Sequence, residues 1–163
     1  MERALHWLAR IESAAAAIAY VIVAGLLLGE IVARELLSTT IWGSQKIAVF
    51  AAIYAGFLGL SLATASNAHL RPQFADNWPP AAIRGWFPRI GDGLSAVLFL
   101  ALGIIATLYL MDTYANQDRA AVLYWPLWPF QAVIAYAFYS SSVRHLAFML
   151  RPDLKPAPDV VEG

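Results

Sequence analysis

The sequence contains no cysteine, which excludes a disulfide framework, a thiol nucleophile and a thiolate metal site. Charge is also scarce, because only 13% of the 163 residues are charged, about half the share usual in soluble domains. The 11 basic and 11 acidic side chains cancel, so no overall basic field indicates nucleic acid. Hydrophobic residues make up 60% of the chain and the mean hydropathy is +0.60. This composition predicts an all-α membrane protein.

Motifs that carry catalytic chemistry are absent as well. The sequence has no HExxH zinc motif, no glycine-rich phosphate loop and no GxSxG nucleophile elbow. Its three histidines, His6, His69 and His145, fall at or beyond the ends of the predicted spans, whereas a haem site in a bundle needs histidines that face each other. We therefore predict no catalytic residue, no metal ligand and no cofactor.

The most informative stretch is the second predicted span, at about residues 44–66. Its middle, Ile47 to Ala65, contains no charged residue and has the roughly 20 apolar residues that a membrane helix needs. Trp42 precedes it as an interface anchor, and His69 and Arg71 follow it as the expected cytoplasmic exit. Small residues recur at every fourth position and predict a flat contact face for a partner helix: Ala51, Ala55, Gly59 and Ala63.

The first predicted span covers about residues 13–34, with Ser13 as its N-terminal cap. Gly25 and Gly29 form a GxxxG pair, which we add to the hypothesis of partner-helix contact. The basic start and apolar run resemble a signal peptide. The run is long for that purpose and no clear cleavage site follows, so an uncleaved signal anchor is the preferred interpretation.

Glu30 and Arg34 lie at the far end of this span, four residues apart, and are predicted to form an ion pair on one helix face. One hypothesis makes Glu30 an ion or substrate ligand, since carboxylates inside membranes are usually functional. The other makes the pair a partly hydrated group that fixes helix depth or contacts a partner subunit. We favour the second, because neither neighbouring span supplies another carboxylate.

Two further spans are predicted, at about residues 92–112 and 128–147. A proline- and arginine-containing loop precedes the third span, and Trp78 and Trp86 predict a short interfacial segment there. Trp125 and Trp128 are expected to anchor the entrance of the fourth span. The serines at 140–142 are expected to bond the helix's own backbone or a neighbouring helix. Residues 1–150 thus form one four-helix transmembrane domain, followed by a disordered cytoplasmic tail at 151–163.

The distribution of Lys and Arg predicts the topology. Eight basic residues lie on the side of the two termini and the loop between spans two and three, against three on the other side. The positive-inside rule therefore puts the N and C termini in the cytoplasm.

From about residue 10 to residue 150 the chain resembles the small membrane subunit of tripartite ATP-independent periplasmic (TRAP) transporters. The resemblance rests on the Trp42-led second span, Gly56-Phe-Leu-Gly59, the exit Ala68-His69-Leu70, and Trp125-Pro126-Leu-Trp128-Pro129 before the last span. One departure is Ser-Gln-Lys at residues 44–46, where the family often has a glutamate shortly after the tryptophan.

The resemblance implies a multi-pass protein of the bacterial inner membrane that is not an enzyme. It would brace a large permease subunit of about twelve spans, which carries out sodium-coupled uptake of an organic acid. Its partners would be that permease, a periplasmic solute-binding protein and membrane lipids, with no nucleic acid. The alternatives are a membrane anchor subunit of a respiratory oxidoreductase complex and an intramembrane enzyme; the latter would need a polar cluster at mid-depth.

Overall fold

The computed structural model describes residues 2–66 and 86–155. They form four α-helices, α1 (Glu2–Leu37), α2 (Ser44–Ala65), α3 (Phe87–Ala115) and α4 (Trp128–Leu150), followed by a 3-10 turn at Pro152–Leu154. The predicted all-helical fold is confirmed for this part of the chain. Three helices, α1 to α3, are long and apolar enough to cross a membrane. α4 is not among them, because serines, Arg144 and His145 lower its hydropathy.

The first helix is longer than the sequence analysis predicts. It begins at Glu2, not near residue 13, and its 36 residues span about 54 Å at 1.5 Å per residue. A hydrocarbon core is only about 30 Å thick, so α1 extends beyond it. The reason is local: residues 2–12 contain neither proline nor glycine, and 8 of these 11 residues are Ala, Leu, Arg or Glu, which favour helix. The other three helices begin and end within about five residues of the predicted spans.

The four helices alternate in direction, so the bundle has two ends. The loops at residues 38–43 and 116–127 lie at one end, which we call the loop end. The start of α1, the end of α2, the start of α3 and the end of α4 lie at the other, which we call the termini end. α2 packs between α1 and α4, and α3 packs against α4.

The core between α2 and α4 is largely aromatic. The Phe50 and Phe130 rings stack with centroids 4.0 Å apart, and Tyr54 meets Phe130 edge-on. Nearer the termini end, Phe57 meets Phe138 edge-on. The outward faces of α1 and α3 are apolar and exposed, which is what lipid or another membrane subunit would surround.

Trp78, His69 and Arg71 lie outside the described residues, and so does the predicted interfacial segment except for Trp86, which directly precedes α3. The predicted disordered tail lies partly outside the described residues. Its first residues form the 3-10 turn Pro152–Leu154, and residues 156–163 lie outside the described part.

At the loop end the two loops pack against each other through Gly43 and Leu123. Gly43 has φ +77°, and a Cβ placed on it would lie 2.7 Å from Leu123 Cδ2. Leu123 is buried in a tight turn, which the Ala120 N–H closes by donating to the Trp125 carbonyl at 2.8 Å. A residue without a side chain is therefore required at position 43, both for its backbone conformation and for its space.

We expect Gly43→Ala to lower the free energy of unfolding by about 1–2 kcal/mol, because Ala is strained at positive φ and its methyl group would displace Leu123. The measurement is denaturant unfolding of the full-length chain in detergent. Gly25→Ala is the matched control, since a Cβ at Gly25 meets no atom within 4 Å and Ala favours a helix interior. Equal losses in the two variants would contradict the proposed packing.

Candidate functional site

A buried ion pair links the first and last helices near the termini end. Arg144 Nη2 of α4 donates to Glu12 Oε2 of α1 at 2.7 Å, and both side chains are only 1% exposed. Among the described residues these are the two largest side chains that are almost wholly buried. An isolated charge at this depth would carry a large desolvation penalty, so each group requires the other.

Three hydroxyl groups complete the hydrogen bonding of the glutamate. Glu12 Oε1 accepts from Ser61 of α2 at 2.9 Å and from Tyr136 and Ser140 of α4, each at 2.8 Å. With the bond from Arg144 to Oε2, the carboxylate accepts four hydrogen bonds, three on Oε1 and one on Oε2. Glu12 is therefore engaged by groups of this chain through both of its oxygens.

Arg144 is held by the same serines. Its Nη1 donates to the Ser61 carbonyl at 3.0 Å and to Ser140 Oγ at 2.9 Å, and it also contacts Ser61 Oγ. Its Nε has no partner among the described residues. Arg144 also lines a cavity of about 170 Å³ together with His6, Phe148 and Leu154, which has room for water.

The network thus joins three helices, α1, α2 and α4, through hydrogen bonds and one ion pair. Tyr136, Ser140 and Arg144 are spaced four residues apart, so they lie on one face of α4 and meet Glu12 and Ser61 there. Every charge is matched by an opposite charge or a hydroxyl, which is the arrangement that keeps ionised groups inside a membrane bundle.

A second polar cluster lies at the same end, between α3 and the C-terminal turn. Lys155 Nζ donates to both Asp92 carboxylate oxygens at 2.8 Å, and His145 Nδ1 lies 3.3 Å from Asp92 Oδ1. The His145 ring stacks on Phe99, with centroids 5.6 Å apart. This cluster ties the start of α3 to the end of α4 and to the residues that follow it.

The serines at 140–142 each bond a neighbouring helix, which confirms one of the two outcomes expected from the sequence. Ser140 contacts Glu12 and Ser61, Ser141 accepts from Thr64 at 3.2 Å, and Ser142 donates to the Ala96 carbonyl at 2.8 Å. Consecutive residues on α4 point about 100° apart, so the three hydroxyls reach different neighbours. Ser140 reaches α1 and α2, Ser141 reaches α2, and Ser142 reaches α3.

Glu30 has different partners from those predicted. Its Oε2 accepts from the Ile41 N–H at 3.0 Å and from the Ser44 hydroxyl at 2.7 Å. Arg34 Nε instead lies 3.5 Å from Glu35 Oε1, and both of those side chains are about two-thirds exposed. Among the described residues, Glu30 is therefore bonded to Ile41 and Ser44, and Arg34 contacts Glu35, in place of the predicted Glu30–Arg34 ion pair. The turn before α2 brings a hydroxyl and a backbone donor to Glu30, while Arg34 lies at an exposed position on α1.

The predicted small-residue faces are only partly used within this chain. A Cβ on Gly25 or Gly59 would meet no atom within 4 Å, and one on Gly29 would lie 3.7 Å from Ile41. Ala55 is buried, whereas Ala51 and Ala63 are half-buried. Contact of these faces with a partner helix therefore stays a hypothesis.

The predicted tryptophan anchors divide between the two ends. Trp42, Trp125 and Trp128 lie at the loop end and Trp86 lies at the termini end, and all four are exposed. Indoles at both ends of a bundle are typical of interfacial belts.

The Glu12–Arg144 network is not among the predicted features, because Glu12 lies before the first predicted span and Arg144 at the close of the fourth. One signal could have indicated it: Tyr136, Ser140 and Arg144 put three polar groups on one face of an otherwise apolar helix. Such a face requires a polar partner on another helix.

Comparison with known proteins identifies one family. The family model described as "Tripartite ATP-independent periplasmic transporters, DctQ component" matches residues 23–154. No curated protein and no solved structure matches the chain. The matched segment contains Ser61, Tyr136, Ser140 and Arg144, whereas Glu12 precedes it.

We expect Glu12→Gln and Arg144→Met each to lower the free energy of unfolding by about 3–5 kcal/mol, because either change leaves the other charge buried and unpaired. The double variant should lose clearly less than the sum of the two single losses. Denaturant unfolding of the full-length chain in detergent gives the three values. Arg34→Met is the control and should change little, since its ion pair is exposed. Additive losses would show that the two groups are not coupled.

Proposed function

The chain belongs to the DctQ component family of tripartite ATP-independent periplasmic transporters, and from that premise we propose that it braces the large permease subunit during sodium-coupled uptake of an organic acid. Membership of the family makes it a transporter component and not an enzyme. The alternatives of an oxidoreductase anchor and an intramembrane enzyme are set aside for this reason. The family also implies association with a large permease subunit and a periplasmic binding protein, and it supports a location in the inner membrane.

The proposal includes four spans, although α4 is more polar than the other helices. The polar residues of α4 turn inward, where Ser140, Ser141 and Arg144 bond α1 and α2. The exposed residues of α4 are aromatic or aliphatic: Trp128, Tyr136, Val143, Leu146 and Leu150. A helix with this outward surface suits lipid. Its mean hydropathy underestimates this suitability, because the polar residues that lower the mean face inward.

The observation that carries the bracing role is that Glu12 and Glu30 of α1 are both held by hydrogen-bond donors of this chain. Glu12 accepts four hydrogen bonds, and Glu30 accepts two from the turn before α2. A sodium site at membrane depth needs several free oxygen ligands, usually beside interrupted helices. In the described part of the chain α1 to α4 are continuous. This supports a scaffold role, with the ion and substrate ligands supplied by the permease.

The faces available to the permease are the outward surfaces of α1 and α2. Gly25 and Gly59 leave open space above their backbones, which would let a partner helix approach closely. Ala51, Gly29 and Ala63 extend the two faces along the same helices. Contact of the permease with these faces is part of the proposal.

The functional test is solute uptake by proteoliposomes that contain the binding protein, the permease and this chain, across a series of sodium concentrations. Leaving out this chain should abolish uptake. Glu30→Gln should keep the midpoint and steepness of the sodium dependence once uptake is normalised to assembled complex, because the Glu30 carboxylate only holds the turn before α2. Glu35→Gln, an exposed neighbour on α1, is the control. A sodium midpoint shifted by Glu30→Gln alone would overturn the scaffold role and make Glu30 a ligand.

The topology has its own test, because the chain has no native cysteine. Single variants Ser66→Cys and Arg151→Cys, at exposed positions of the termini end, should be shielded from a membrane-impermeant thiol reagent in intact cells. Gln117→Cys at the loop end should react, since the loop end is proposed to face the periplasm. All three should react after the cells are lysed. The opposite labelling pattern would invert the topology.

A further inference from the structure

A groove runs along the outer surface of the bundle at the termini end, between the start of α3 and the end of α4. Its volume is about 630 Å³. The residues that define it are Trp86, Arg89, Ile90, Leu94, Val97 and Met149. None of them takes part in the two polar clusters described above.

The floor of the groove is a close approach between the two helices. A Cβ placed on Gly93 would lie 2.9 Å from Met149 Sδ. The absence of a side chain at Gly93 therefore lets the Met149 thioether reach α3 directly. The resulting floor is apolar, and Gly93 and Met149 both lie inside their helices, where the backbone N–H groups are paired.

The rim of the groove carries a cation next to an indole. The Arg89 guanidinium lies 5.3 Å from the centre of the Trp86 ring, a cation–π distance. Both side chains are exposed, and Arg89 forms no ion pair within residues 2–66 and 86–155. Its guanidinium lies at an exposed position that an external anion can reach.

Below the rim the groove becomes entirely apolar. Ile90, Leu94 and Val97 are all exposed, and Leu94 retains 71% of its accessible surface. Residues 89 to 97 of a helix span about 12 Å, which is a large part of one leaflet of a hydrocarbon core roughly 30 Å thick. Polarity thus falls from the membrane surface inward, in the order of a phospholipid: a charged group first and an alkyl chain after it.

We propose that this groove binds an anionic phospholipid of the cytoplasmic leaflet, with its phosphate at Arg89 and one acyl chain along Ile90, Leu94 and Val97. The proposal rests on the membrane placement proposed above and goes beyond it by naming a ligand. A transmembrane helix would fill the apolar part of the groove but would leave the Arg89 charge without a partner. An anionic headgroup neutralises that charge, and the cytoplasmic leaflet supplies such lipids.

The occupant can be identified directly by photocrosslinking. Leu94 is replaced by benzoylphenylalanine in the full chain, which is assembled with the permease in nanodiscs of equal parts phosphatidylglycerol and phosphatidylcholine. Mass spectrometry of the illuminated complex should find a phospholipid adduct on the peptide that contains position 94, enriched in phosphatidylglycerol. An adduct with the permease, an adduct with a second copy of this chain, or equal capture of the two lipids would overturn the proposal.

The role of Arg89 is tested in the same experiment. Adding Arg89→Gln should lower the ratio of phosphatidylglycerol to phosphatidylcholine adducts about fivefold, which is the effect of one basic residue at an anionic surface. Arg119→Gln is the matched control: this arginine is exposed at the loop end, and its loss should leave the ratio unchanged. An unchanged ratio in Arg89→Gln, or the same drop in both variants, would overturn the assignment. Neither result depends on transport, so a failure here is distinct from a failure of the bracing role.

Discussion

The buried pair of Glu12 and Arg144 is the constraint on which the packing of this bundle depends. It joins α1 to α4 across α2, and both charges are almost wholly removed from solvent. Apolar packing alone provides little preference between lipid and another helix inside a membrane, because lipid tails are as apolar as leucine. A charge pair that is also held by serine and tyrosine hydroxyls is different, since any sliding or rotation of α1 or α4 leaves an unpaired charge. The pair therefore specifies one register for helices that otherwise present smooth apolar surfaces.

The two ends of the bundle are held by different forces. At the termini end, ion pairs and hydroxyls link all four helices through Ser61, Ser140 and Asp92. At the loop end, the Phe50–Phe130 stack and the contact of Leu123 with Gly43 provide shape-based packing. Both arrangements use groups that face inward, and they leave the outer faces of α1 and α3 apolar. An interior held by specific contacts, with an apolar outer surface, suits a subunit whose proposed task is to hold a larger partner in place.

Much of the architecture follows from the sequence because it depends on local properties. Charge-free runs of about 20 residues require helices in a membrane, and the structure has helices at each of these runs. Tryptophans mark both ends for the same local reason. The extension of α1 back to Glu2 lies outside the prediction, in which the first span begins at its cap, Ser13. Intrinsic helix propensity continues through the residues before Ser13, whatever their polarity.

The class of the protein follows from its sequence alone, which indicates the helices, the proposed orientation and the resemblance to a transporter subunit. These follow from composition, segment length and the placement of basic residues, none of which needs a three-dimensional arrangement. Which polar groups meet depends on the three-dimensional packing of the helices. Glu12 and Arg144 are separated by 132 residues, and Glu30 prefers the Ser44 hydroxyl to Arg34, its neighbour one helical turn away. The reason is physical: a pairing between helices depends on their relative rotation and depth, which are set by the packing of the whole bundle and not by spacing along the chain.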